Sequence, residues 1–162
     1  MNALADRFRE TMRRTASGVA ILTTDGVAGR AGVTVSTFCS LSMEPLSVMA
    51  CVHRDSRPLD TILANGVFAA NVLADDQETV AKAFAGMIPE MRADRFASGR
   101  WQSIATGAPA LLDALASFDC KIASTFDFGT HRIVIGEVIE VMSGLGNPLL
   151  FADCNFRRLL AA

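Results

Sequence analysis

Apolar residues recur along this chain at two different periods, and the points where the period changes mark its elements. Leu4, Phe8 and Met12 lie four apart, which stacks them on one face of a helix running to about Arg14. Gly18 ends that pattern. Val19 to Thr24 is β-branched and apolar, Asp25-Gly26 is a turn signal, and alternation resumes from Val33, so residues 18 to 43 are expected to form a hairpin. After Glu44-Pro45, Leu46 to Val52 reads as a buried strand. Ser56 stands where a helix N-cap belongs, with Pro58 in the first turn and Asn65-Gly66 as the stop, and Val67 to Leu73 is again a strand. Asp75 and Glu78 have capping-box spacing ahead of Val80, Phe84 and Met87, with Gly86 near the helix end. No period holds from Pro89 to Pro109, an irregular excursion containing Trp101. Leu111 to Phe126 and His131 to Met142 are long β-rich runs joined through Asp127-Phe128-Gly129-Thr130, and a last short strand follows Gly146-Asn147-Pro148.

Six or seven strands with few helices between them do not give the regular alternation of a doubly wound parallel sheet. The expected fold is therefore mainly β, a split or closed antiparallel β-barrel that leaves few exposed strand edges, in one domain spanning residues 1–162. Hydrophobic residues make up 51% of the chain and charged residues 20%, so part of the apolar surface is expected to lie against a partner subunit. The net charge is −2 and the one basic group, Arg7, Arg9, Arg13 and Arg14, falls on the first helix as a solvated face; no nucleic-acid stripe is present. Cys39, Cys51, Cys120 and Cys154 are widely spaced, as expected of reduced thiols in a cytoplasmic protein. No run of eighteen apolar residues indicates a membrane segment.

Several chemistries lack their residues. Gly26, Gly29 and Gly32 have the wrong spacing for a dinucleotide-binding turn and are flanked by strands. His53 and His131 are the only histidines and neither lies near an acidic pair with ligand spacing, so a metal site has little support. No nucleophile elbow occurs. With neither metal nor activated side chain, a bound organic cofactor is the economical hypothesis. Residues 34–42, TVSTFCSLS, place Thr34, Ser36, Ser40 and Ser42 on one strand face and Val35, Cys39 and Leu41 on the other, a row of hydroxyls that suits either a polar elongated ligand or plain solvent. His53-Arg54-Asp55-Ser56-Arg57 follows a buried strand and precedes a helix N-terminus, a place for a phosphate or for an ordinary capped loop.

Taken together, Gly18-Val19-Ala20, TVSTFCSLS from Thr34, Cys51-Val52-His53 to Ser56, FAANVLADDQ from Phe68, the Lys82 to Gly86 helix end that includes Phe84, Asp94-Arg95-Phe96, Trp101 and GTHRIVIGEV from Gly129 closely resemble the short-chain flavin reductase family, the reductase components of two-component flavin monooxygenases. The resemblance implies an FMN-binding split barrel that holds FMN or FAD at a homodimer interface and takes a hydride from NADH or NADPH. It implies cofactor contacts from Val33, Thr34, Val35, Ser36, Ser40, Leu41, Ser42, Cys51, Val52, His53, Ser56, Arg57 and Phe84. Within that set, Thr34 and Ser36 are assigned to the ring edge, Ser40 to Ser42 to the ribityl and phosphate region, and His53, Ser56 and Arg57 to the phosphate side. His131 matches a histidine associated with nicotinamide. A separate oxygenase is the implied recipient of reduced flavin; a cobalt corrinoid acceptor, or a flavin- or haem-binding barrel without turnover, are the alternatives. The chain departs from the family at Glu44-Pro45-Leu46, at His53 where asparagine is common, at Thr130 where aspartate usually precedes the histidine, and at Phe151 and Phe156, since it has no tyrosine.

Overall fold

Seven strands pair antiparallel in a single sheet whose two edge strands are consecutive in the chain. The computed structural model describes residues 3–160. After the helix α1 (Ala3–Met12) and a two-residue strand β1 (Ser17–Gly18) come β2 (Ala20–Thr24), β3 (Ala31–Val35), β4 (Phe38–Met43) and β5 (Leu46–His53). Helix α2 (Arg57–Asn65), β6 (Val67–Val72) and α3 (Glu78–Phe84) follow. Two 3-10 turns then lead to the small pair β7 (Trp101–Ser103) and β8 (Pro109–Leu111), to the long hairpin β9 (Ala116–Phe128) and β10 (His131–Ser143), and to β11 (Leu150–Ala152) and β12 (Asn155–Arg157). The main sheet runs β3-β2-β6-β9-β10-β5-β4. Val35 and Phe38 are three residues apart, no more than about 11 Å, so its two edges must meet and the sheet must curl. The Cys51 amide donates to the Thr37 carbonyl at 3.2 Å and carries the β4–β5 ladder up to the bend between the two edge strands.

Period-two alternation sorts the strands' side chains onto two faces. Inside the barrel are Leu22, Val35, Val48, Val52, Phe68, Cys120 and Val134, with Leu59 and Ile62 of α2 closing one end. Gly136 is required there: a Cβ at this position would lie 2.4 Å from Phe68 Cζ. Outside, Val19, Ile21 and Leu73 are buried by Val80, Ala81 and Phe84 of α3, by Leu111, and by Leu149. Each such large side chain contributes roughly 1.5–3 kcal/mol through its burial. Asn71 bolts this outer layer to the sheet. Its amide donates to Thr23 Oγ1 at 3.0 Å, and its carbonyl accepts from the Leu111 amide at 2.7 Å and from Ser117 Oγ at 2.8 Å.

The antiparallel β-barrel matches the expected fold class, with corrections in detail. Residues 18–43 are not one hairpin: β2 pairs with β3 over 20–35, while β4 pairs with β5, and the chain bends at Ser36-Thr37 between them. The hydroxyl row is accordingly broken in two. Ser56 is the α2 N-cap but its side chain makes no cap bond, and Gly66, at φ 70°, ends the helix as expected. The Asp75–Glu78 capping box does not form; Gln77 precedes α3 and its side-chain oxygen accepts from the Ala74 amide at 2.9 Å. Met87 lies beyond α3 and is exposed. The Leu111 run divides into β8 and β9, and the final short strand is a pair, β11 and β12. No described helix is long and apolar enough to cross a membrane, and no described cluster of His, Cys, Asp and Glu could hold a metal ion.

Candidate active site at the barrel seam

Where the sheet's edges meet, the bend at Ser36-Thr37 opens a cavity of about 210 Å³. Three further elements border it: the end of β5 at His53, the N-terminus of α2 at Ser56, and the start of β10 at His131. Strand register explains the convergence, since β10 pairs with β5 so that His131 lies opposite His53. Their rings meet edge to face at 5.1 Å. His131 Nδ1 is 2.9 Å from the Thr130 hydroxyl, and His53 Nδ1 accepts from the Asp55 amide at 3.2 Å. Each ring is thus oriented through one nitrogen, which leaves the other for a ligand.

Nine of the residues expected at the site line this cavity: Val33, Thr34, Val35, Ser36, Cys51, Val52, His53, Ser56 and His131. Thr37 lines it too and was missed, because a strand read straight through Ser36-Thr37 gives that residue no part in a bend. The Thr34 hydroxyl is committed elsewhere, donating to the Ala81 carbonyl of α3 at 2.8 Å. Ser40, Leu41 and Ser42 lie further along β4, outside the cavity lining, beside a register shift between Ser40 and Ser42; the Ser42 hydroxyl is bonded locally to Glu44. Arg57 lines a neighbouring cleft. Phe84 is 1% exposed, wedged behind Gly32 and against Phe96 and Trp101, so it supports β3 from the far side.

Electrostatics around the seam favour an anionic ligand. At the adjoining tip of the β9–β10 hairpin, Arg132 donates to both Asp127 oxygens, one at 2.8 Å, and Arg54 approaches at 3.7 Å. The Arg132 hydrogen bonds hold the Asp127 carboxyl below its ordinary range and keep its negative charge paired. Ser56, with no cap bond of its own, stands at the α2 N-terminus, where uncapped N–H groups and the helix dipole attract an anion. Burial, with a smaller contribution from Cys39, raises the Cys51 thiol above its usual range, so it serves as an apolar wall and not as a nucleophile. At about 210 Å³ the cavity is smaller than the ~300–1,000 Å³ of a typical small-molecule site. It also opens at the border of an uncovered apolar sheet face. Strand pairing places Met49, Cys51, Ile133, Ile135 and Phe126 on that face together with both histidines, and Phe126 is 55% exposed.

An antiparallel barrel whose seam gathers hydroxyls, two oriented imidazoles and a helix N-terminus places the chain among split-barrel proteins with a polar seam cavity. A family model described as flavin reductase like domain matches residues 12–160, and the chain belongs to that family. A relative from Methylorubrum extorquens named FMN reductase (NADH) RutF 1 is 42% identical over 156 residues, 96% of this chain and 77% of that one. Among solved structures, nitrilotriacetate monooxygenase component B from Mycobacterium thermoresistibile superposes with a TM-score of 0.89 at 29% identity, covering 99% of this chain and 89% of the other. The NADH:FAD oxidoreductase SgcE6 of Streptomyces globisporus, solved with NAD and FAD fragments, gives 0.87 at 30% identity over 96% and 93%.

Proposed function

We propose that this chain is an NAD(P)H-dependent flavin reductase that works as a homodimer and passes reduced flavin to a separate oxygenase. The observation that carries the reading is the cluster of unspent donors at the seam: Ser56 without a cap bond at a helix N-terminus, beside Ser36 and two histidines already fixed in orientation. These residues fit a flavin. Hydroxyls and N–H groups suit its pyrimidine edge and phosphate, and Cys51 and the half-buried Val33 border the cavity on its apolar side. The relatives named FMN reductase (NADH) favour FMN and NADH among the possible pairs, and the likeness to a monooxygenase component favours an oxygenase as recipient.

When bound, the flavin ring supplies the atom that accepts the hydride. The chain's own contribution is placement and exclusion of water. Ser56 and the first turn of α2 would hold the phosphate end, while Cys51 and Val33 would keep water from one side of the ring. His131, steadied at Nδ1 by Thr130, hydrogen-bonds the nicotinamide through Nε2 and orients it. A second copy laid over the Met49–Ile133–Phe126 face closes the open side of a cavity too small to hold the ligand by itself. The test is oxidation of NADH by purified protein with FMN, FAD or no flavin added, and with NADPH in parallel. Turnover that requires added or bound flavin is expected; protein that neither binds flavin nor oxidises either nucleotide in its presence overturns the reading.

A further inference from the structure

We propose that His53 is a positioning residue for His131: the contact between the two imidazoles holds the His131 ring in the plane from which its Nε2 serves the seam cavity. This gives His53 a task different from the phosphate contact that the family resemblance assigns to it. The proposal rests on the flavin reductase reading only for what His131 then orients. Both rings border the cavity, so a change in either one is felt there.

His131 stands where the chain by itself holds a side chain least. It is the first residue of β10, directly after the Gly129-Thr130 turn, and it is exposed. Among the described residues the Thr130 hydroxyl, 2.9 Å from Nδ1, is the one hydrogen-bond partner of the ring. The terminal torsion of a histidine is broad, and one bond at one ring nitrogen leaves rotation about that bond, so Thr130 alone does not fix the ring plane. Phe128, the neighbour of His131 on β9, is 83% exposed, and among the described residues the ring contact of His131 is with His53.

His53, by contrast, is anchored by the turn that follows it. Its Nδ1 accepts from the Asp55 amide at 3.2 Å and its carbonyl accepts from the Ser56 amide at 3.0 Å. With Nδ1 accepting, the neutral ring carries its proton on Nε2. The Asp55 carboxylate, 3.9 Å from the same Nδ1, is beyond hydrogen-bond range and does not draw the ring away. The Arg54 amide donates to the Thr130 carbonyl at 2.9 Å, which makes residues 54 and 130 a hydrogen-bonded pair. His53 and His131, next along the ladder, are therefore a close pair, with Cα atoms about 4.5 Å apart. Their ring centroids lie 5.1 Å apart with the planes at 76°, the edge-to-face arrangement that aromatic rings prefer. A fixed ring thus stands against a loosely held one, and the orientation passes from His53 to His131.

The chain has two histidines, so their imidazole NMR signals can be followed one by one. The test combines imidazole 13C relaxation, the kinetics of NADH oxidation and titration with FMN, for the unaltered protein, His53→Ala, His53→Phe, His131→Ala and the double alanine variant. The His131 ring should be rigid on the ps–ns timescale in the unaltered protein and in His53→Phe, and mobile in His53→Ala. His53→Ala should raise the NADH KM about fivefold, the scale of one edge-to-face ring pair, with kcat and the FMN Kd changed by less than about twofold. Phenylalanine keeps a ring without its nitrogens and should recover most of that loss. The double variant should be no worse than His131→Ala, because a support without the ring it holds does nothing. A His131 ring that stays rigid in His53→Ala, an unaltered NADH KM in that variant, a phenylalanine no better than alanine, or KM losses that add in the double variant overturns the proposal. So does a fall in FMN affinity in His53→Ala, which would return His53 to the phosphate. Absence of flavin-dependent turnover in the unaltered protein sinks the flavin reading alone, and the ring relaxation still decides whether His53 holds His131.

Discussion

Around β3, β2 and β6 the outer face of the barrel is covered by the chain's own α3 and β8 and by the segment at Leu149, whereas around β10, β5 and β4 the outward residues stay bare. The covered half buries Val19, Ile21 and Leu73 almost completely. On the other half Phe126 and Phe128 are 55% and 83% exposed, and Met43 is 80% exposed. Both halves have apolar outward residues, so the difference is in what the chain lays over them. One half is covered within the chain; the other ends at the seam with its apolar outward residues uncovered by any element of the chain. That division explains why the two histidines sit at the edge of the bare half.

The largest expected effect breaks the covered half. Asn71→Ala removes the donor and acceptor that join Thr23, Leu111 and Ser117, leaving buried polar groups unpaired. A loss of about 3 kcal/mol in denaturant unfolding is expected, with flavin still bound at low denaturant. A loss under about 1 kcal/mol would mean the outer layer is held by packing alone. Next comes the bare half. Phe126→Asp should leave unfolding of the single chain within about 0.5 kcal/mol of the parent. It should also abolish self-association, and with it weaken FMN by about 30-fold, close to 2 kcal/mol. Smaller again is His131→Ala, expected to raise the NADH KM about tenfold, near 1.4 kcal/mol, with the FMN Kd changed less than twofold. A variant with unaltered KM and kcat removes the orienting role.

The smallest effect sharpens the comparison through the thiols. Burial, assisted by the Asp119 charge, pushes Cys120 up from 9.0 to about 12, while Cys51 is raised less far and Cys39 and Cys154 are exposed. A folded-state pKa above the unfolded one means the native state holds the proton more tightly. The Cys120 contribution is therefore whole below pH 9.0 and is lost as pH rises from there to about 12. Alkylation at pH 8 should modify Cys39 and Cys154 first, Cys51 more slowly and Cys120 only on unfolding, as read by mass spectrometry; early labelling of Cys120 would contradict the barrel interior.

Much of this architecture was legible in the sequence, for reasons particular to each element. Gly66 closing α2, a hairpin connection within Asp127–Thr130, which the structure narrows to Gly129-Thr130, and the alternation of β9 and β10 are local effects that turn chemistry and period two announce. What stayed hidden depended on long-range pairing. The bend at Ser36-Thr37 has no glycine or proline and arises because β3 must pair with β2 while β4 pairs with β5. Thr34 therefore turns to Ala81, and Phe84 sinks behind Gly32, consequences of α3 docking on β3 that no local pattern contains. The cleft that Arg57 borders was equally hidden, its lining drawn from positions as far apart as Arg30 and Phe96.

Sedimentation of the protein with FMN, following protein absorbance and the flavin's visible absorbance together, tests most directly whether the bare half is completed by a second copy around the cofactor. The account predicts flavin travelling with a two-chain species, and free flavin with the one-chain species formed by Phe126→Asp. Flavin bound stoichiometrically to a single chain, or a two-chain species that leaves the flavin behind, would contradict it.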